Sequence, residues 1–287
     1  MSETNANVLR LEHITMQFGG VVAVSDFSME VNKGEIVALI GPNGAGKTTA
    51  FNVITGVYEP TNGIVYFNGE PIVENYPRGK MKKLYLGDQT AVYDKVISKT
   101  PDKITKLGIA RTFQNIRLFD KMTVEENVRI GLHNQIRYDM FSGILRLPRY
   151  WKQEKRQHER AMELLDIFGM QDLADEVSGS LPYGAQRRLE IVRALATDPK
   201  LLLLDEPAAG MNPHETEELM ENIAKIRDQF QIAILLIEHD MSLVMGVCEG
   251  ICVLNFGRII AKGTADEIQA NPAVIEAYLG KQKGAEK

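Results

Sequence analysis

The nine residues GPNGAGKTT at Gly41 to Thr49 constrain this chain more than any other stretch. They follow a run of apolar residues, Ile36 to Ile40, of the kind found in a strand covered on both faces. Beyond them Phe51, Ile54 and Val57 recur with helical spacing. A buried strand, a glycine-rich turn and a helix in that order match the phosphate-binding pattern G-x-x-x-x-G-K-[ST]. Glycines let the backbone wrap an anion closely, successive N–H groups point inward, and the positive end of the helix dipole faces the charge. Gly41, Pro42, Asn43, Gly44, Ala45, Gly46, Lys47, Thr48 and Thr49 are therefore expected to cradle nucleotide phosphates. Lys47 would reach the β- and γ-phosphates, and the Thr48 hydroxyl would ligate Mg²⁺.

A second constraint lies at Leu201 to Pro207, LLLLDEP, where two carboxylates end a wholly apolar strand. Open α/β sheets place their ligand sites at such strand ends, and the strand itself has no structural use for adjacent acids. Asp205 suits Mg²⁺, and Glu206 is placed to take a proton from a water attacking the γ-phosphate. A further apolar run, AILLIEHD, ends at His239, a candidate for the same phosphate. A histidine at a strand end is also a common structural hydrogen-bonding residue, and the residues alone leave both roles open.

The rest of the chain fits a globular protein of 287 residues, with 33 basic and 38 acidic side chains and 44% hydrophobic residues. The slight acidic excess speaks against nucleic acid as a partner. Two cysteines, Cys248 and Cys252, give no disulfide framework and read as core residues in a reducing compartment. No apolar run approaches the roughly 18 residues of a membrane span, and the first ten residues lack a secretory pattern. Strands are expected at Val8–Met16, Ala23–Val31 and Gly63–Asn68, the last turning at Asn68-Gly69. Glu70 to Thr105 reads as an irregular or partly helical insertion, and Thr123 to Phe168 as helical. The latter holds a basic run with Arg146, Arg149, Lys152, Lys155, Arg156 and Arg160, which reads either as a solvated helix face or as a site for anionic surfaces.

Taken in order, GPNGAGKTT, ARTFQ, LPYGAQRRLEIVRALA, LLLLDEP, AAGMNP and EHD resemble the ATP-binding cassette family along nearly the whole chain. The resemblance implies an α/β fold: a P-loop NTPase core with an antiparallel β subdomain and an inserted helical subdomain. It makes residues 1–287 one cassette, with the core at 1–112 and 199–287 and the helical, signature-bearing part at about 113–198. It also implies that Phe18 stacks on adenine, and that Gln114 senses Mg²⁺ and the attacking water. Tyr183, Gly184, Ala185 and Gln186 fill the place of the family's Ser-Gly-Gly-Gln signature, with Tyr183 and Ala185 departing from it and a helix expected from near Gln186. Asn212 stands where the family often has aspartate.

In this family each ATP lies between the phosphate loop of one subunit and the signature of another. One copy of each motif therefore implies a dimer, homo- or heteromeric, with two composite sites. Within the family, ARTFQNIRLFDKMTVEENV, FSGILRLPRYWKQE, DEPAAGMNP and GTADEIQANPAVIEAYLG look like the ATPase subunit of branched-chain amino-acid importers. That resemblance implies transmembrane permease subunits, an extracytoplasmic solute-binding protein and a peripheral place on the cytoplasmic face of the membrane. Amide or urea importers, a lipopolysaccharide exporter and soluble cassette ATPases are the alternatives. A kinase or GTPase lacks the paired signature, and no guanine-reading Asn-Lys-x-Asp is present.

Overall fold

A computed structural model describes residues 7–79, 93–135 and 148–279. Its strands are β1 (Asn7–Phe18), β2 (Val21–Asn32), β3 (Ile36–Ile40), β4 (Asn62–Phe67), β5 (Glu70–Asn75), β6 (Ile97–Ser98), β7 (Ile109–Arg111), β8 (Leu201–Asp205), β9 (Ala233–Ile237), β10 (Gly250–Asn255) and β11 (Arg258–Gly263). The helices are α1 (Lys47–Ile54), α2 (Pro101–Leu107), α3 (Val124–Gly131), α4 (Pro148–Ile167), α5 (Tyr183–Leu195), α6 (Pro213–Phe230), α7 (Met241–Val247), α8 (Ala265–Gln269) and α9 (Pro272–Leu279).

Two sheets form. One is antiparallel in the order β2-β1-β4-β5-β6; the other runs β11-β10-β3-β9-β8-β7 and is parallel except for β11. The parallel sheet is apolar on both faces because both are covered. Ile36, Ala38 and Ile40 join the core shared with the helical part, while Val37 and Leu39 point into the core between the two sheets, beside Phe27 and Phe51. This is why β3, β8 and β9 read as unbroken apolar runs rather than as alternating ones.

Register carries the functional consequence. Ile237 of β9 pairs with Leu39 of β3 and with Asp205 of β8, so one row crosses all three strands at their carboxyl ends. Gly41, Glu206 and His239 all leave the sheet within two residues of that row.

In the parts described, the segment Glu70 to Thr105, expected to be irregular or partly helical, holds two strands as well as the start of a helix. It begins with β5, which turns from β4 through Asn68 and Gly69, both at positive φ, and continues through β6 into α2. Pro71 sits at an irregularity in the β4–β5 register, where its missing N–H removes no ladder bond from a regular pairing. The KMKKLYLGDQTAV portion, residues 80–92, lies outside the described residues. The stretch from Thr123 forms α3, a short 3-10 turn at Leu132–Gln135 and α4, with 136–147 outside the described residues. Thr123 and Glu126 close a reciprocal capping box that starts α3.

Cys252 is buried on β10, and Cys248 follows α7. Burial pushes the Cys252 thiol up to about 11 and, with Glu249 and Glu238 adding to it, the Cys248 thiol up to about 12. At pH 8 roughly one thiol in 10³ or fewer is then ionised. Ellman's reagent at that pH should label neither cysteine of the folded protein within minutes and both after guanidinium unfolding; prompt labelling of the folded chain would contradict this burial.

Candidate functional site

The loop between β3 and α1 has a backbone that only glycine can follow. Gly41, Gly44 and Gly46 have φ of 148°, 78° and 106°. A Cβ on Gly41 would collide with the Leu254 carbonyl oxygen, and one on Gly46 with that of Ala23. The turn between β10 and β11 anchors the loop from the side: Gly257 N–H donates to Ala45 O at 2.9 Å, and Ser25 N–H to Gly257 O at 2.8 Å. Gly46 caps α1 without a side-chain bond and no acidic residue occupies the first turn, so the helix start offers N–H groups to an anion.

Lys47 is 7% exposed and donates from Nζ to Gly41 O (2.7 Å) and Pro42 O (3.2 Å). Burial lowers its pKa, and the nearby carboxylates of Glu206 and Asp205 oppose that shift. A buried ammonium bonded to two carbonyls at the start of a helix suits a phosphate as its counter-charge. Asp205 is 2% exposed and the Thr48 side chain is exposed, which leaves hard oxygen donors beside Lys47. Among the described residues no cluster of three or more His, Cys, Asp or Glu is placed to hold a metal ion alone. Magnesium does not require one, since it binds through one or two protein oxygens together with substrate phosphates.

Glu206 sits at φ 50°, a left-handed conformation that is strained for a residue with a Cβ. Its N–H donates to Ile237 O at 2.9 Å, which fixes it to the end of β9. The carboxylate is thereby turned between two other predicted residues. Gln114 Nε2 donates to Glu206 Oε2 at 3.0 Å, and His239 Nδ1 stands 3.9 Å from Glu206 Oε1. The set can hold and orient a water beside a phosphate bound at Lys47, with Glu206 as the base.

Residues 24–209 match the family described as ABC transporter, and residues 258–283 match one described as branched-chain amino acid ATP-binding cassette transporter. The chain belongs to the ABC transporter family. This cassette is 44% identical over 273 residues, covering 95% of it and 98% of the relative, to the high-affinity branched-chain amino acid transport ATP-binding protein LivG of Salmonella typhimurium. It is 41% identical, over the same shares of both chains, to BraF of Pseudomonas aeruginosa, which carries the same description. Among solved structures, an ABC transporter's ATP-binding cassette in its ADP conformation matches with a TM-score of 0.76 at 31% identity, covering 96% of this chain and 99% of that one. The α/β cassette fold with its two sheets and helical insertion is that of its relatives.

Other expected site residues of the cassette lie further out. Phe18, at the end of β1, is 43% exposed and meets the Tyr58 ring edge-on at 5.3 Å, giving an exposed aromatic shelf. The signature region differs from expectation in one respect: its helix, α5, starts at Tyr183 rather than near Gln186. Pro182 at the N-cap supplies the starting geometry, and Gln186 N–H already donates to Pro182 O at 3.0 Å. No side chain caps this helix, so Tyr183, Gly184 and Ala185 begin it with backbone donors alone. The Gln186 side chain turns back to Leu181 O (2.8 Å). Tyr183 lies against Gly210 of AAGMNP, where a Cβ would come within 2.9 Å of its ring. Asn212 caps α6, in a reciprocal box with Glu215. Of the basic run, Lys155 pairs with Glu159 and Arg160 with Glu163 on α4; Arg146 and the Arg149 side chain lie outside the description.

Two site residues were not anticipated. Arg111, at the end of β7, donates to Asp205 Oδ2 (2.8 Å), Asn52 Oδ1 (2.7 Å) and Thr55 Oγ1 (3.3 Å), its guanidinium between the rings of Phe51 and Phe113. Glu238 is 1% exposed and accepts from Ala208 N–H (2.8 Å), His239 N–H (3.0 Å) and Asp240 N–H (3.2 Å), joining the loop after β8 to the loop after β9. Burial raises the Glu238 carboxyl, and these three donors oppose the rise. An arginine inside ARTFQ and an acid before His239 were visible, but only strand order reveals their partners. Arg111→Met leaves Asp205 a buried carboxylate without its cation. It should lower unfolding free energy by about 3–5 kcal/mol in urea titration, with Arg111→Lys in between; a loss under about 1 kcal/mol would remove this pair from the architecture of the site.

Proposed function

We propose that this cassette hydrolyses ATP as the motor subunit of a membrane importer for branched-chain or similar hydrophobic amino acids. The observation that supports the chemistry best is the Gln114–Glu206 contact at 3.0 Å beside the buried Lys47. In this reading the phosphate loop and Lys47 hold the β- and γ-phosphates, Phe18 stacks on the adenine, and Thr48, Asp205 and Gln114 hold Mg²⁺. Magnesium would supply charge neutralisation at the phosphates. Glu206 takes the proton of the attacking water, Gln114 orients that water, and His239, beside Glu206, meets the γ-phosphate. Tyr183, Gly184, Ala185 and Gln186 face the ATP of a second cassette, so that two chains close over two nucleotides and reopen after hydrolysis.

The substrate class rests on the relatives. LivG and BraF are described as branched-chain amino acid transport proteins, and the match at residues 258–283 belongs to the same group. No helix among the described residues is long and apolar enough to cross a membrane, so in this reading permease subunits supply the path and an extracytoplasmic binding protein the solute. The cassette would sit on the cytoplasmic face of the membrane. A groove of about 420 Å³ suits the permease contact. It runs between the core and the helical part and is lined by Val57, Ile104, Phe113, Phe119 and Ile130, with Arg111 and Glu190 in its walls.

Glu206→Gln should slow ATP hydrolysis by roughly 10² to 10⁴, the scale of a lost general base, and accumulate an ATP-bound dimer on gel filtration; near-normal turnover would refute the role. Lys47→Ala should abolish binding of a fluorescent ATP analogue, and an unchanged affinity would refute the phosphate-loop reading.

A further inference from the structure

Arg187 on α5 is the largest fully buried side chain among the described residues. Its position is unusual for an arginine, because burying a guanidinium is costly unless its donors are met. Those of Nη1 and Nη2 are met chiefly by main chain from another element, while the buried Nε has no partner. Nη1 donates to Phe113 O and Nη2 to Gln114 O, both at 2.6 Å, and Nη1 also reaches Glu190 Oε2 at 3.0 Å. Glu190, itself 2% exposed, accepts from Phe113 N–H at 3.3 Å. The pair on α5 therefore grips the main chain of both residues that end ARTFQ. The remaining contact of Arg187 is to the Tyr183 hydroxyl at 3.4 Å, one turn back at the start of the same helix.

We propose that Arg187 is a positioning residue that ties the loop carrying Gln114 to the helix carrying the signature. The reasoning follows the chain of contacts. Tyr183 and Gly184 open α5; Arg187, one turn on, holds the carbonyl of Gln114; the Gln114 amide holds Glu206. A shift of α5 along or about its axis moves the anchor of Gln114 with it, because a planar guanidinium bonded to two successive carbonyls tolerates little change in either distance or angle. This rests on the composite-site reading above, in which a chain's signature contacts the ATP of the opposite site while its Gln114 and Glu206 serve its own. Arg187 then links the two: capture of one nucleotide by the signature end of α5 sets Gln114 against Glu206 in the other site. The same contacts would give no such link if Arg187 were only filling space, a task that an apolar side chain performs without burying a charge.

The test uses the full-length protein with ATP and Mg²⁺. Arg187→Met alone strands the Glu190 carboxylate, so the informative variant is Arg187→Met with Glu190→Met, which removes both charges and keeps the volume. Its thermal stability should stay near that of the wild type, and its affinity for a fluorescent ATP analogue, set by the intact phosphate loop, should be unchanged. Its kcat should fall by about 10- to 100-fold, up to the scale of a reacting group misplaced by about 1 Å, and its ATP dependence should lose cooperativity, the Hill coefficient dropping to about 1. Arg187→Lys keeps the charge beside Glu190 but cannot bridge both carbonyls; it should show unchanged affinity with a smaller loss of kcat. If the double variant does not fold, Arg187→Lys decides by the same affinity and kcat readings. Unchanged kcat and cooperativity in a folded variant, or affinity falling in step with kcat, would overturn the proposal. A wild type with a Hill coefficient of 1, whose Glu206→Gln form makes no ATP-dependent dimer, would instead bring down the composite-site reading, and the link with it.

Discussion

A buried lysine without a fixed anionic partner sets the terms for everything around it. Lys47 gives its ammonium to two carbonyls of its own loop, and burial lowers its pKa while Asp205 and Glu206 oppose the change. Such a group is tolerable where its environment supplies negative potential from two sides. Those sides come from separate strands, so the parallel sheet must bring the ends of β3, β8 and β9 into one row. The glycine conformations at 41 and 46 follow from the same demand, because the loop passes against the Leu254 and Ala23 carbonyls with no room for a side chain.

The opposite wall of the site is held by distributed backbone bonding. Glu206 occupies a left-handed conformation that costs of order 1–3 kcal/mol, and Ile237 O, through the Glu206 N–H, holds it there. Glu238 fixes Ala208 and His239 together, and Arg111 pins Asp205 to α1 through Asn52 and Thr55. The strain thus falls on the residue whose carboxylate meets Gln114, while its neighbours are held by hydrogen bonds. This division favours chemistry at one carboxylate without loosening the ends of the sheet.

Local patterns were legible in the sequence where one stretch carried the whole signal. The phosphate loop, the apolar strands and the acidic pair needed no knowledge of distant residues, since glycine, period and charge sit within a dozen positions. Asp205 and Lys47 came together as expected for that reason. Arg111, Glu238 and Arg187 were not legible as site residues, because each acts through main chain or side chains on elements 30 to 94 residues away. Short β7 and the buried β10 were missed alike: three residues cannot show a period, and a short strand holding Cys252 resembles any core segment. The β5 strand was hidden by Pro71 and two glutamates, whose cost is relieved at a register irregularity near the edge of the sheet. The start of α5 was misplaced by three residues because Pro182, rather than a serine or threonine, caps it.

The cassette's architecture sets the loop between β3 and α1, proposed above to hold phosphate, apart from the start of α5 and the AAGMNP loop, which Tyr183 and Gly210 join on the same chain. In the proposed function, a complete catalytic site takes the first set from one copy and the second from another. The most direct measurement is a structure of the Glu206→Gln protein with ATP and Mg²⁺. The expected result is a dimer with two nucleotides, each with its γ-phosphate between Lys47 of one copy and the Tyr183–Gln186 turn of the other. A nucleotide enclosed by one chain alone, with the second copy's turn facing away, would contradict it.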